Sequence, residues 1–229
     1  MKLHSIVALG DSITKGVVLE NDRYCVLRDN FVEQCRDYLL ADISNLGRMG
    51  CTVTRGADIL EQHARRIATA DLTLIEFGGN DSDFDWQAIA LSPDGLHSPK
   101  TGLAMFHQAY SRLIGRVREL GSRPVLLSLP LICGEAFMGY VTRGMSAEAR
   151  CNVYQWLGGH TDRVRNYHDM YNLEIFRLGS RLRVPVLDIT TPFLVESDYT
   201  RYLCSDGIHP NQAGHYLIAD TLKRYAQAS

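Results

Sequence analysis

The chain has 229 residues, 45% hydrophobic and 22% charged, which is long enough to bury one substantial core and carries no compositional mark of disorder. Its 24 Lys and Arg against 26 Asp and Glu give a formal net charge of -2, which offers no basis for a nucleic-acid partner. No run of about 18 apolar residues occurs, so no membrane span is expected. The first predicted element is a strand over residues 6–9, an apolar run too short for a secretory h-region, and no export signal is expected. Residues 17–26 place apolar side chains on either side of Glu20-Asn21-Asp22-Arg23, which reads as a small hairpin at the rim of that strand's end. Asn30 followed by Glu33 is a capping-box pattern opening a helix through Phe31, Cys35 and Tyr38.

A second strand ends near Asn45-Leu46-Gly47, and residues 72–77, 124–129 and 184–187 read as three more. Between them, Leu103, Phe106, Tyr110, Leu113, Val117 and Leu120 recur at helical spacing, as do Tyr167, Tyr171, Ile175, Leu178 and Leu182. Ala213, Leu217, Leu222 and Tyr225 suggest a last helix with the same kind of core stripe. Short apolar strands alternating with helices predict an α/β fold, with about five parallel strands in a central sheet covered by helices on both faces. No repeat or linker divides the chain, so residues 1–229 are expected to form one domain. Residues 131–162 are longer than an ordinary connection and carry Phe137, Tyr140, Tyr154 and Trp156, so they read as a partly helical insertion or lid. These aromatics suit a cover over an apolar group and an ordinary core equally well.

Six scattered cysteines at 25, 35, 51, 133, 151 and 204 form no Cys-x-x-Cys pair and are expected to be reduced thiols of a cytoplasmic protein. Asn80-Asp81-Ser82 matches a glycosylation acceptor but coincides with a motif that a sugar would obstruct. Asp81, Asp83 and Asp85 alternate like the start of a calcium loop. Trp86 stands where such a loop needs glycine and Ser92 where it needs the closing Glu, so an acidic loop without metal is expected.

In a doubly wound sheet, ligands bind beyond the carboxyl ends of the strands. Gly10-Asp11-Ser12 follows the first predicted strand, Gly50 the second and Gly78-Gly79-Asn80-Asp81 the third, while Asp206-Gly207-Ile208-His209 precedes the last helix. Together they can supply a nucleophile, oxyanion donors and an acid/base pair, the needs of acyl transfer. Taken singly, Ser12 reads as a helix N-cap, Asn80 as a turn residue and Gly50 as a tight turn.

The blocks Gly-Asp-Ser-Ile-Thr, Asn-Leu-Gly-Arg-Met-Gly-Cys-Thr, Gly-Gly-Asn-Asp and Asp-Gly-Ile-His-Pro occur in one order across residues 10–210, and in this the chain resembles the SGNH hydrolases, the GDSL-type esterases and lipases. Ile13 departs from the usual Leu after Gly-Asp-Ser, an aliphatic exchange. The resemblance implies a three-layer α/β/α, flavodoxin-like fold and a serine esterase acting on small or medium acyl esters, acetylated sugars or short-chain lipid esters among them. It implies Ser12 as nucleophile, His209 as general base oriented by Asp206, and an oxyanion hole from Ser12, Gly50 and Asn80, with no cofactor. Asp and His three residues apart suit a local turn, and no Gly-x-Ser-x-Gly elbow of the α/β-hydrolases is present.

The same chemistry serves an acyltransferase or thioesterase. Two readings from another class are a flavin or nucleotide module, with Ser12 and Thr14 holding phosphate at a helix N-terminus, and a pseudoenzyme that binds esters or sugars. The expected partner is a small-molecule ester, and the motifs do not encode acyl length, alcohol identity or oligomeric state.

Overall fold

The structure, a computed structural model, describes residues 4–228. Its strands are β1 (Ser5–Gly10), β2 (Val17–Glu20), β3 (Arg23–Val26), β4 (Asp42–Asn45), β5 (Leu72–Glu76), β6 (Arg123–Leu127) and β7 (Val186–Leu187). Five of them form a parallel sheet in the order β4-β1-β5-β6-β7, and β2 pairs with β3 in a separate antiparallel hairpin. The period-two alternation of β1 sorts its side chains to two cores. Val7 and Leu9 pack with Leu60, Phe106, Tyr110 and Ile175, whereas Ile6 and Ala8 pack with Phe31, Ile43, Phe193 and Ile218. The result is the three-layer α/β/α arrangement expected from the alternating pattern.

The helix Leu103–Glu119 buries Phe106, Tyr110, Leu113 and Val117, and Asp162–Leu182 buries Tyr171, Ile175 and Leu178, as their spacing predicts. Each such fully buried side chain contributes roughly 1.5–3 kcal/mol relative to exposure. The last helix, Gln212–Ala228, keeps Leu217 and Leu222 of the predicted stripe against the core but turns Ala213 and Tyr225 outward. Gly214, His215, Ile218, Ala219 and Leu222 are buried, while Ala213 and Tyr225 are exposed. Gly214 explains the rotation: a Cβ there would sit 2.8 Å from the Pro210 Cβ, so the helix approaches the chain through a residue with no apolar side chain to betray the face.

Asn30 caps Phe31–Leu39 by accepting from the Val32 and Glu33 amides, but Glu33 turns to Arg36 at 2.9 Å, so the box is formed from one side only. Tyr38 on that helix is exposed under the Lys223 ammonium rather than in the core. The strand predicted over residues 184–187 shortens to two residues, because Arg183 is left-handed (φ 52°) and Pro185 has no N–H to give the ladder.

The segment 131–162 contains two helices, Gly134–Val141 and Ala147–Trp156. They close a third apolar cluster in which Phe137, Met138, Val153 and Leu157 meet Phe84, Trp86 and Val164. In the hairpin, Asn21 and Asp22 take left-handed conformations (φ 48° and 59°), the demand of a type I′ turn. The hairpin reaches the 131–162 segment through Asp22 and Arg143, 3.7 Å apart, and through the edge-on rings of Tyr24 and Tyr140.

Candidate active site

Ser12 stands where β1 gives way to the one-turn helix Ser12–Lys15. Asp11 caps that turn by accepting from the Ile13 amide at 2.8 Å, and Gly16 ends it in a left-handed conformation (φ 82°). At such a junction the first-turn amides have no intrahelical acceptor, and the Ser12 N–H is one of them. The Asp206–His209 loop is pinned from two sides. Cys204 N–H donates to the His209 carbonyl at 2.7 Å, and Cys133 N–H donates to the Gly207 carbonyl, also at 2.7 Å. Gly207 has φ +74°, and a Cβ there would meet the Cys133 carbonyl oxygen at 2.6 Å, so glycine is required at this contact.

These two elements, 197 residues apart in the chain, meet in a continuous relay. The Ser12 hydroxyl lies 3.0 Å from His209 Nε2, and His209 Nδ1 lies 2.6 Å from Asp206 Oδ2. Because an ionised carboxylate only accepts, Nδ1 carries the proton and Nε2 is left as acceptor for the serine. Asp206 is fully buried, and its Oδ1 accepts from the Ile208 and His209 amides at 3.1 Å each. Burial pushes its carboxyl up, but the His209 bond and charge and the two amides outweigh that and hold it below its ordinary value.

The two residues expected to join Ser12 in the oxyanion hole come to the same place. Gly50 and Asn80 line the cavity that contains Ser12 and His209. Gly50 has φ +68°, with open space where a side chain would stand, whereas a Cβ on Gly47 would meet the Lys15 Cα at 2.8 Å. Gly47 is thus a packing glycine, and Gly50 is the one that lines the cavity. Asn80 Nδ2 donates to Asp11 Oδ2 at 3.0 Å, which fixes the amide and leaves its second N–H free of that bond.

A buried carboxyl lies behind this group that no motif flags. Parallel pairing places Gly10 beside Glu76, so Asp11 and Glu76 come together at the end of the sheet. Both are buried, Glu76 Oε2 accepts from the Thr14 hydroxyl at 2.8 Å, and Glu76 Oε1 has no partner. Asp11 is raised well above its ordinary value by burial and then by the Glu76 charge, and Glu76 is raised by burial. The folded protein therefore holds protons that the unfolded chain releases above about pH 4. The sign follows: stability is fullest at the acid end and is lost as pH rises through the folded values. Glu76→Gln removes one of the two ionisations. The wild-type Tm should then fall more steeply than that of the variant as pH rises from about 4 into the neutral range. Parallel melting curves for the two proteins across that range would overturn the assignment. Asp81, raised to about 6 by burial, acts in the same direction but is common to both proteins and cancels.

The three alternating aspartates have separate engagements. Asp81 accepts from the Val53 amide with both oxygens at 3.1 Å, Asp83 takes the Trp86 indole N–H and the Lys100 ammonium, and Asp85 caps the helix Trp86–Leu91. Among the described residues, no group of three or more His, Cys, Asp or Glu side chains is placed to hold a metal ion. No described helix is long and apolar enough to cross a membrane.

The cavity at Ser12 has a volume of about 210 Å³, below the roughly 300–1,000 Å³ typical of sites for drug-sized ligands. Phe84, Trp86, Ile132, Phe137 and Tyr167 wall it, and Tyr24 of the hairpin sets its ring edge-on to His209, centroids 5.2 Å apart. Phe137 lines the cavity as one reading of its segment expects, whereas no sequence pattern marks Glu76, Tyr24, Phe84, Trp86 or Ile132 as belonging to it. The aromatics at 84 and 86 stand three and five residues after the Gly-Gly-Asn-Asp block, and that proximity is the signal that could have marked them.

A parallel sheet between two helical layers with a Ser-His-Asp relay beyond its strand ends defines the class: a three-layer α/β/α fold carrying a serine-hydrolase arrangement. Residues 8–217 match the GDSL-like Lipase/Acylhydrolase family, and the chain belongs to it, a GDSL-type serine hydrolase acting on ester bonds. A lipase/acylhydrolase from Enterococcus faecalis is similar in structure at 19% identity and a TM-score of 0.70, covering 99% of this chain and 96% of that one. A catalytic mutant of an acetylxylan esterase from Geobacillus stearothermophilus is similar at 19% identity and a TM-score of 0.68, covering 98% and 95%. An alpha/beta hydrolase enzyme from the metagenome of Lake Arreo, Spain, gives 20% identity and a TM-score of 0.66, covering 98% and 95%. No curated protein matches the chain.

Proposed function

We propose that this chain is an esterase that cleaves carboxylic esters of small acyl groups through an acyl-enzyme on Ser12. The observation that carries the reading is the relay itself, Asp206 to His209 at 2.6 Å and His209 to Ser12 at 3.0 Å, opening on a small apolar cavity. His209 Nε2 takes the Ser12 proton as Oγ bonds to the ester carbonyl carbon, then returns it to the leaving alcohol as the C–O bond breaks. Water repeats the sequence on the acyl-enzyme and restores Ser12. Asp206 holds the imidazole in the required tautomer and balances the imidazolium charge.

The negative charge on the carbonyl oxygen is met by the Ser12 and Gly50 N–H groups and by the Asn80 amide, which Asp11 holds in place. Asn80→Ala should lower kcat on p-nitrophenyl acetate by about a hundred- to a thousandfold, the usual cost of one oxyanion donor, with little change in KM. Unchanged kcat in that variant would remove Asn80 from the oxyanion role.

Acetylated sugars and short-chain lipid esters are the candidate substrates; the cavity volume favours the small acyl group, and the acetylxylan esterase among the similar structures gives the sugar its place on the assay panel. We read residues 131–162 as a fixed wall of a single domain, since Ile132 and Phe137 face the cavity. The six free thiols suit the reducing cytoplasm. A panel of acyl lengths and acetylated sugars, with Ser12→Ala as control and product analysis in the presence of an alcohol acceptor, tests substrate class and hydrolysis against transfer together.

A further inference from the structure

The cavity is lined by a second imidazole, that of His168, which the proposed chemistry does not use. His168 lies on the helix Asp162–Leu182, and Val164, Tyr167 and His168, spaced i, i+3 and i+4, turn one face of that helix into the cavity. Its residue is only 5% exposed, yet Nδ1 is buried without a hydrogen-bond partner. The nearest charge, the Asp169 carboxylate, is 3.8 Å from Nδ1, too far for a hydrogen bond. Its polar neighbours on the same wall are engaged: Asp83 binds Trp86 and Lys100, and the Ser82 hydroxyl donates to the Gly79 carbonyl. Nδ1 itself is closed to solvent, so it is the rest of the ring that can meet a bound group, and Phe84, Trp86, Phe137 and Tyr167 line the same cavity.

We propose that His168 is a specificity-determining residue, hydrogen-bonding an oxygen on the substrate group that fills the aromatic-walled part of the cavity. This rests on the esterase reading and deepens it. The group is a compact body with apolar faces for the rings and at least one hydroxyl or carbonyl oxygen at its edge, not a plain hydrocarbon chain. Apolar walls supply contact area and the single imidazole supplies orientation, the division of labour usual in small-ligand sites. A site built to hydrogen-bond an oxygen discriminates against the analogue lacking it, because its own polar group is then left unpaired.

The test compares two ring acetates, the monoacetates of a methyl pentoside, which keep free hydroxyls, and cyclohexyl acetate, which has none. The wild type should favour a hydroxylated ester in kcat/KM by about ten- to a hundredfold. His168→Phe keeps the ring volume but has no nitrogen; it should lose that preference while its rate on cyclohexyl acetate stays within about threefold. His168→Gln, which both donates and accepts, should restore part of it and serves if the Phe variant does not fold. Equal losses on both esters, or no change on either, would overturn the proposal. Binding of the same esters to Ser12→Ala, with and without the second change at 168, reads the contact without turnover. Failure of the esterase reading would show as hydrolysis that survives Ser12→Ala, whereas failure of this inference would show as equal binding with His168 and with Phe.

Discussion

Ser12→Ala is expected to lower kcat on p-nitrophenyl acetate by about 10⁴- to 10⁶-fold, leaving only what the oxyanion donors and binding provide over water. The magnitude follows from the unit that Ser12 forms with His209 and Asp206. Once Oγ is gone, the base has no proton to take, no acyl-enzyme forms, and the rest of the relay has no step to assist. Ser12 is 6% exposed at the start of a one-turn helix whose cap is made by Asp11, so alanine should leave the fold and melting temperature nearly unchanged. Two measurements check this: steady-state rates against the wild type, and covalent labelling by a fluorophosphonate, which should vanish in the variant. Full hydrolysis by Ser12→Ala would show that another group attacks the ester.

Asp206→Asn should be nearly as severe, with kcat falling about 10⁴-fold while the protein stays folded. Asp206 Oδ1 accepts from two backbone amides, and the asparagine oxygen will keep those bonds. Its NH₂ must then face His209 Nδ1, where the carboxylate oxygen stood at 2.6 Å. A donor at that position turns Nδ1 into the acceptor and places the proton on Nε2, against the serine, so the base is occupied before the reaction begins. The wild-type carboxyl is held below its ordinary value, so Asp206 stays ionised through the mildly acidic range. A variant within tenfold of the wild-type rate would count against this division of roles.

The parts of this protein that repeat along the chain were legible from the chain. Runs such as Ile6 to Leu9 and the stripe from Phe106 to Val117 carry strand and helix periods because one face of each element must leave water. Candidate site residues inside compact motifs were legible as well, since Ser12, Gly50, Asn80, Asp206 and His209 stand beside turns that only certain residues can make; four of them line one cavity, and Asp206 is buried behind His209.

What tertiary structure alone decided involves contacts between elements far apart in sequence. The inward face of the last helix was set by a close approach at Gly214, a residue with no side chain to mark it. Glu76 meets Asp11 because parallel strands pair Gly10 with Glu76, a register absent from either segment's composition. Tyr24 reaches His209 only because a hairpin folds back over the rim. His168 sits on a helix whose stripe reads as ordinary core, and its meaning depends on what the neighbouring walls leave unpaired. Periodicity and turn chemistry are local and survive in the sequence. Pairing, rotation and unsatisfied hydrogen bonds arise only when the elements meet, and the residues that would choose the substrate belong to that second set.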